Sequence, residues 1–162
     1  MRAIRLGVLI PAACAVCLLS AGCIRQATPP TLTVTGARVI DRTAEVAIVE
    51  FDLEADNTND IALPLRELRY EFAVDGDTVF TGSRSPEATI RRFGSQAITV
   101  PVVVPLAELE GATLDDAGGV PYRLKGRVTY IIPGALAELL FDTNVRRPTV
   151  GFEDRGSLDL AG

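Results

Sequence analysis

The chain of 162 residues has no histidine, no tryptophan, one methionine and one lysine, Lys125. Without histidine there is no imidazole to act as general base, to complete a Ser-His-Asp arrangement or to ligate a transition metal. Its serines therefore lack the usual activating partner. The three cysteines, Cys14, Cys17 and Cys23, all fall at the N-terminus. The rest of the chain has no thiol nucleophile and no disulfide, so an apolar core alone must hold it. Calcium chemistry is also poorly served. Asp115 and Asp116 stand in a glycine-rich loop without the spaced oxygens of a D-x-D-x-D-G site, and they read as solvated loop acids. Asp75 and Asp77 flank Gly76 as turn formers. The sequence thus points to no catalytic residue, no cofactor and no metal.

What is present begins with an address. Arg2 and Arg5 form a basic head, residues 6–19 are apolar apart from the cysteines, and Ser20, Ala21 and Gly22 are small. This is the layout of a secretory signal peptide helix over residues 1–22, shorter than the roughly 20 apolar residues of a membrane span. An uncleaved anchor helix is the alternative. Leu19-Ser20-Ala21-Gly22-Cys23 resembles the lipobox of bacterial lipoproteins. The resemblance implies cleavage before Cys23 and lipidation of Cys23, with ordinary cleavage near Ala21 as the alternative. Ile24 after the cysteine implies an outer-membrane lipoprotein facing the periplasm. Residues 23–30 would be the lipidated cysteine and a short proline-containing tether. Losing Arg2 and Arg5 takes the 16 basic residues to 14 against 21 acidic ones, and the formal charge from −5 to −7. So acidic a domain lacks the phosphate-neutralising patch that a nucleic-acid partner requires.

Residues 31–155 read as one domain. Residues 50–82 organise it: an alternating run Phe51, Leu53, Ala55; a polar corner from Asp56 to Asp60; then Leu68, Tyr70, Phe72, Val74 closed by Asp75-Gly76. Alternation puts each run's apolar residues on one strand face, and Asp-Gly between two runs signals a hairpin. That stretch is expected to present one apolar face, covered by a partner sheet made chiefly of residues 98–104 and 122–132. Upstream, the apolar phase slips between Ile48 and Val49, which suggests a bulge there. Glu50, Asp52 and Glu54 mark a solvent face. Arg84, Arg91 and Arg92 read as solvated edge charges, and Pro101 suggests an edge strand. Residues 106–109 suit one helical turn, residues 135–140 suit either a turn of helix or a strand start, and residues 141–152 suit a last strand. Residues 156–162 form a polar tail. About seven strands at this spacing imply an all-β sandwich or barrel.

Several of these pieces resemble the late-embryogenesis-abundant type 2 (LEA14-like) family, also called the water-stress and hypersensitive-response (WHy) domain. They are Phe51-Asp52-Leu53-Glu54-Ala55-Asp56-Asn57-Thr58-Asn59, Leu68-Arg69-Tyr70-Glu71-Phe72-Ala73-Val74-Asp75-Gly76, Ile98-Thr99-Val100-Pro101-Val102-Val103-Val104 and Tyr122-Arg123-Leu124-Lys125-Gly126. Thr58 departs from the proline frequent in the family's corner. The resemblance implies a single antiparallel β-sandwich of the fibronectin III/immunoglobulin type, and a non-enzymatic, stress-protective protein. The expected partners are the membrane through the N-terminal lipid and either an envelope protein or a lipid. An assembly module and a carrier of apolar ligands are the competing functions.

Overall fold

The computed structural model describes residues 27–109, 114–116 and 118–159. The expected signal peptide, Cys23 and the last three residues lie outside them. The strands are β1 (Thr31–Arg42), β2 (Val46–Asn57), β3 (Leu63–Val74), β4 (Asp77–Arg84), β5 (Thr89–Ile90), β6 (Gly94–Pro105), β7 (Val120–Tyr130) and β8 (Thr149–Leu158). One 3-10 turn (Leu106–Leu109) and one helix, α1 (Ala135–Asp142), complete the described chain. All pairings are antiparallel. One sheet has the order β1-β2-β6, the other β4-β3-β7-β8, with β5 paired to the start of β3. The expected β-sandwich is therefore present, with β5 as an eighth strand too short to leave a pattern in the sequence.

Alternation decides what goes inside. β2 buries Ala47, Val49, Phe51, Leu53 and Ala55, and β6 opposite buries Ile98, Val100, Val102 and Val104. From the other sheet, β3 contributes Leu68, Tyr70, Phe72 and Val74, and β7 contributes Leu124, Val128 and Tyr130. Residues 50–82 do not form one face, as expected, but two. Their first run lies in one sheet and their second in the other, so the halves pack on each other. Phe51 meets Phe72 at 5.8 Å between ring centroids and Tyr122, edge-on, at 5.3 Å.

The bulge is also displaced from its expected place. β2 runs in unbroken phase with Ala47 inside, and its pairing with β6 has no register shift. The irregularities lie on β1, between Val34 and Gly36 and between Val39 and Asp41, the second opposite Ile48 and Val49. Ala47 carries too small a side chain to mark the core phase, so Val46 and Ile48 dominate the pattern while facing outward. Residues 135–142 are helical, and the last strand starts at Thr149, not Phe141. It runs to Leu158, whose buried side chain takes up part of the expected polar tail. The hairpin turn is as expected, with Asp75 at φ 51° and Gly76 at φ 96°, the two positive values a type I′ turn needs.

The sheet edges are closed by the opposite sheet. Pro101, on the edge strand β6, has no N–H to leave unpaired, and its carbonyl accepts from the Tyr70 hydroxyl of β3 at 2.6 Å. Arg84 at the end of β4 donates to the Thr99 carbonyl at 3.2 Å. β1 lies alongside β8, and its two bulges break the flat edge that a foreign strand would pair with.

Glycines let aromatic rings lie flat on the five-stranded sheet. Gly82, Tyr70, Gly126 and Phe152 are in register across β4, β3, β7 and β8. A Cβ on Gly126 would lie 2.6 Å from the Phe152 ring and 2.6 Å from the Arg69 carbonyl oxygen, the latter backbone that cannot yield. Gly126→Val should therefore cost about 1–3 kcal/mol or more by overpacking. Chemical denaturation measures it, and an unchanged midpoint would contradict this packing.

Candidate functional site

The polar corner after β2 is built by two asparagines. The Asn57 side chain is 3% exposed, and its amide nitrogen donates to the carbonyls of Ile61 at 2.7 Å and Arg91 at 3.0 Å. Its oxygen accepts from the Asn59 backbone N–H at 3.0 Å and the Asn59 side-chain amide at 2.7 Å. Every hydrogen-bonding group of this buried amide has a partner, which is the condition for burying one without penalty. Asn59 grips the N-terminal segment in turn. Its oxygen accepts from the Thr28 N–H and its nitrogen donates to the Thr28 carbonyl, both at 2.8 Å. The Asn59 carbonyl accepts from the Phe93 N–H at 3.0 Å. The corner thus joins the incoming chain, the start of β3 and the β5–β6 turn at one end of the sandwich. Amides, which donate and accept at once, make these bonds. Pro30 is buried and Ala27 packs on the core, so the domain takes up residues assigned to the tether.

A second surface is the outer face of the five-stranded sheet. A shallow trough of about 540 Å³ lies over it, lined among others by Arg69, Glu71, Ser83, Lys125, Arg127 and Glu153. Opposite charges are knitted across its strands. Lys125 pairs with Glu71 and Arg123 with Glu153 at 3.0 Å, while Arg155 pairs with Glu153 along β8 and Arg69 with Glu67 along β3, both at 2.8 Å. Hydrogen bonds from Arg155 and then Arg123 hold the Glu153 carboxyl below its usual range, and one from Arg69 does the same for Glu67. These are exposed pairs, individually worth little. Nucleophile, general base and oxyanion donors are not assembled anywhere on this face.

Glu50 and Asp52 flank Arg38 of β1, so the expected acidic face is partly neutralised, and the pair raises the Arg38 pKa, Asp52 contributing most. Asp115 shapes its own loop, its carboxylate accepting from the Gly119 N–H at 2.8 Å. Arg84 is turned to β6, apart from Arg91 and Arg92 in the β5–β6 turn. Tyr122 donates to Asp154 at 2.7 Å, and burial first, then this carboxylate, raises its phenol pKa. Among the described residues no group of three or more His, Cys, Asp or Glu is placed to hold a metal. The features the sequence reading missed are the exposed Phe93, Leu136, Leu139 and Val145, which the strand pairings bring to one end of the sandwich.

The family model described as late embryogenesis abundant protein matches residues 52–139, more than half of the chain. No curated protein matches it. The solution structure of an Arabidopsis thaliana protein superposes with a TM-score of 0.65 at 19% identity, covering 88% of this chain and 89% of that one. The solution structure of a putative late embryogenesis abundant (LEA) protein gives 0.61 at 18% identity, covering 88% and 75%. A crystal structure of an Archaeoglobus fulgidus protein gives 0.54 at 14% identity, covering 80% and 99%. At these identities the structural likeness speaks for the fold.

Asn57→Ala leaves the Ile61 and Arg91 carbonyls without donors and should cost about 1–3 kcal/mol, while Thr58→Ala should be close to neutral. A denaturation series in which the two variants behave alike would refute the corner's role. The depressed Glu153 pKa adds stability that is full above the unfolded carboxylate value of roughly 4.3 and is lost as pH falls through the lower folded value. Glu153→Gln should therefore flatten the acid limb of the melting-temperature profile slightly. An equally steep limb would remove Glu153 from the cause.

Proposed function

The chain belongs to the late embryogenesis abundant protein family, and from that membership we propose a non-enzymatic, lipid-anchored envelope protein that protects membranes or proteins during drying or related stress. The match over residues 52–139 carries the reading, because it covers both the asparagine corner and most of the sandwich. The anchor rests on Leu19-Ser20-Ala21-Gly22-Cys23, and the outer membrane on Ile24. Two or three acyl chains on Cys23 meet the requirement that stable anchoring take more than one. The side chains present support a protective role over a catalytic one, since the chain has no histidine and its cysteines stop at Cys23.

The competing functions draw less support. Strand addition, one route to an assembly module, needs an open edge. Here Tyr70 and Arg84 cover carbonyls of β6, and bulges interrupt β1. A carrier of apolar ligands needs an apolar cavity of some hundreds of Å³. The apolar hollow between α1 and Pro148 measures about 20 Å³, and the large trough is charged.

Two measurements test the proposal. Liposomes and a labile enzyme dried with the protein should keep their contents and activity better than with an equal mass of albumin, and parity with albumin would end the protective reading. The mature N-terminal peptide should carry acyl mass on Cys23, and Cys23→Ala should abolish it. An unmodified peptide from wild-type membranes would remove the anchor.

A further inference from the structure

Among the described residues, four of the eight exposed large apolar side chains gather at one end of the sandwich, while Ile40 and Leu114 are exposed toward the other. At the first of these ends the Asn59 side chain receives Thr28, the β5–β6 turn projects Phe93, and α1 bridges the end of β7 to the start of β8. Phe93 is 70% exposed, Val145 71%, Leu139 58% and Leu136 51%. Phe93 also holds φ 48°, the left-handed region that a bulky side chain rarely enters, fixed by its N–H bond to the Asn59 carbonyl. Strain of this kind, spent on pushing a large ring into solvent, marks a residue kept for contact. Arg91 and Arg92 precede Phe93, and Arg146 and Arg147 follow Val145, with Arg147 lying over the Phe141 ring at 5.0 Å.

Charge is segregated along the long axis. At this end Arg66, Arg91, Arg92, Arg146 and Arg147 stand beside Asp56, Asp60, Glu67, Glu87, Glu138 and Asp142. At the far end Asp41, Glu45, Asp75, Asp77, Asp115 and Asp116 outnumber Arg42, Arg123 and Arg155. The acidic excess of the domain thus sits at the end away from Thr28. Ala27 is four residue steps from Cys23, a reach of at most about 14 Å when fully extended.

We propose that this end is a membrane-contact face, with Phe93, Leu136, Leu139 and Val145 entering the headgroup–acyl boundary and Arg91, Arg92 and Arg146 meeting lipid phosphates. The proposal deepens the anchored reading above and rests on it for the short tether. Apolar side chains ringed by arginine suit the interface, where rings and aliphatic tips lose water while guanidinium groups stay with phosphate. The acidic far end, repelled by an anionic leaflet, adds to the same orientation. The strands then stand off the bilayer, with the charged trough on their flank facing solvent.

The absence of tryptophan makes the test direct. F93W and L139W place a single reporter on the proposed face, and T78W, beside the β3–β4 hairpin, places one at the far end. Each lipidated variant is reconstituted in phosphatidylethanolamine and phosphatidylglycerol vesicles with brominated acyl chains. F93W and L139W should shift to the blue and lose emission to bromine, and R91E/R92E should weaken the quenching of F93W, while T78W should keep the emission of water. Reporters on the two ends that behave alike, or an F93W that stays water-like on vesicles even if a protein later covers it, would overturn the proposal. The acyl state of Cys23 is read separately by peptide mass. Should it be absent, the anchor fails, and bromine quenching of F93W in the same chain added to vesicles still decides the face.

Discussion

A single buried amide fixes where this chain changes sheets. Asn57 ends β2, and within six residues the chain must enter β3 in the opposite layer. A turn so tight leaves backbone carbonyls pointing inward with no strand to satisfy them. The Asn57 amide supplies the missing donors to Ile61 and Arg91, and its oxygen holds Asn59, which holds Thr28. Removing that side chain exposes no charge and opens little volume. It would strand polar groups in a place water reaches poorly, and in a core without disulfides that penalty falls on the whole domain. The aromatic contact of Phe51 with Phe72 and Tyr122 then follows, since the corner sets the strands that carry those rings face to face.

The same corner gives the surface its polarity. By gripping Thr28 and Phe93 together it sends the N-terminal segment out at the end where the β5–β6 turn and α1 lie. The ion pairs on the flank add a mild dependence on acid.

Much of this was legible in the residues. Strands whose inward positions are all large, such as Leu68, Tyr70, Phe72 and Val74, declared both their existence and their phase. Asp75-Gly76 declared its turn, and Pro101 its edge. The reading slipped where small residues face the core. Ala47 left the phase of β2 to Val46 and Ile48, and the bulge was assigned to the wrong strand. It slipped again where an element is short. β5 has two residues, and α1 has eight, without a side-chain N-cap to announce its start. Of the candidate surfaces, the corner was visible as a cluster of polar residues, but the partners of Asn57 and Asn59 were not. The apolar end was not visible at all, because Phe93 and Leu139 are apolar residues in segments where burial is the default expectation.

The sequence by itself determined the β class, since it follows from residue type and from a period of two along the chain. Only the tertiary structure decided that residues 50–82 divide between two sheets, that Tyr70 and Arg84 close the edge of β6, and that the incoming chain, Phe93 and α1 share one end while the acids gather at the other. Those facts depend on which strand lies beside which. Pairing across dozens of residues is set by packing and by a few polar clasps such as Asn57, and local alternation carries no record of it.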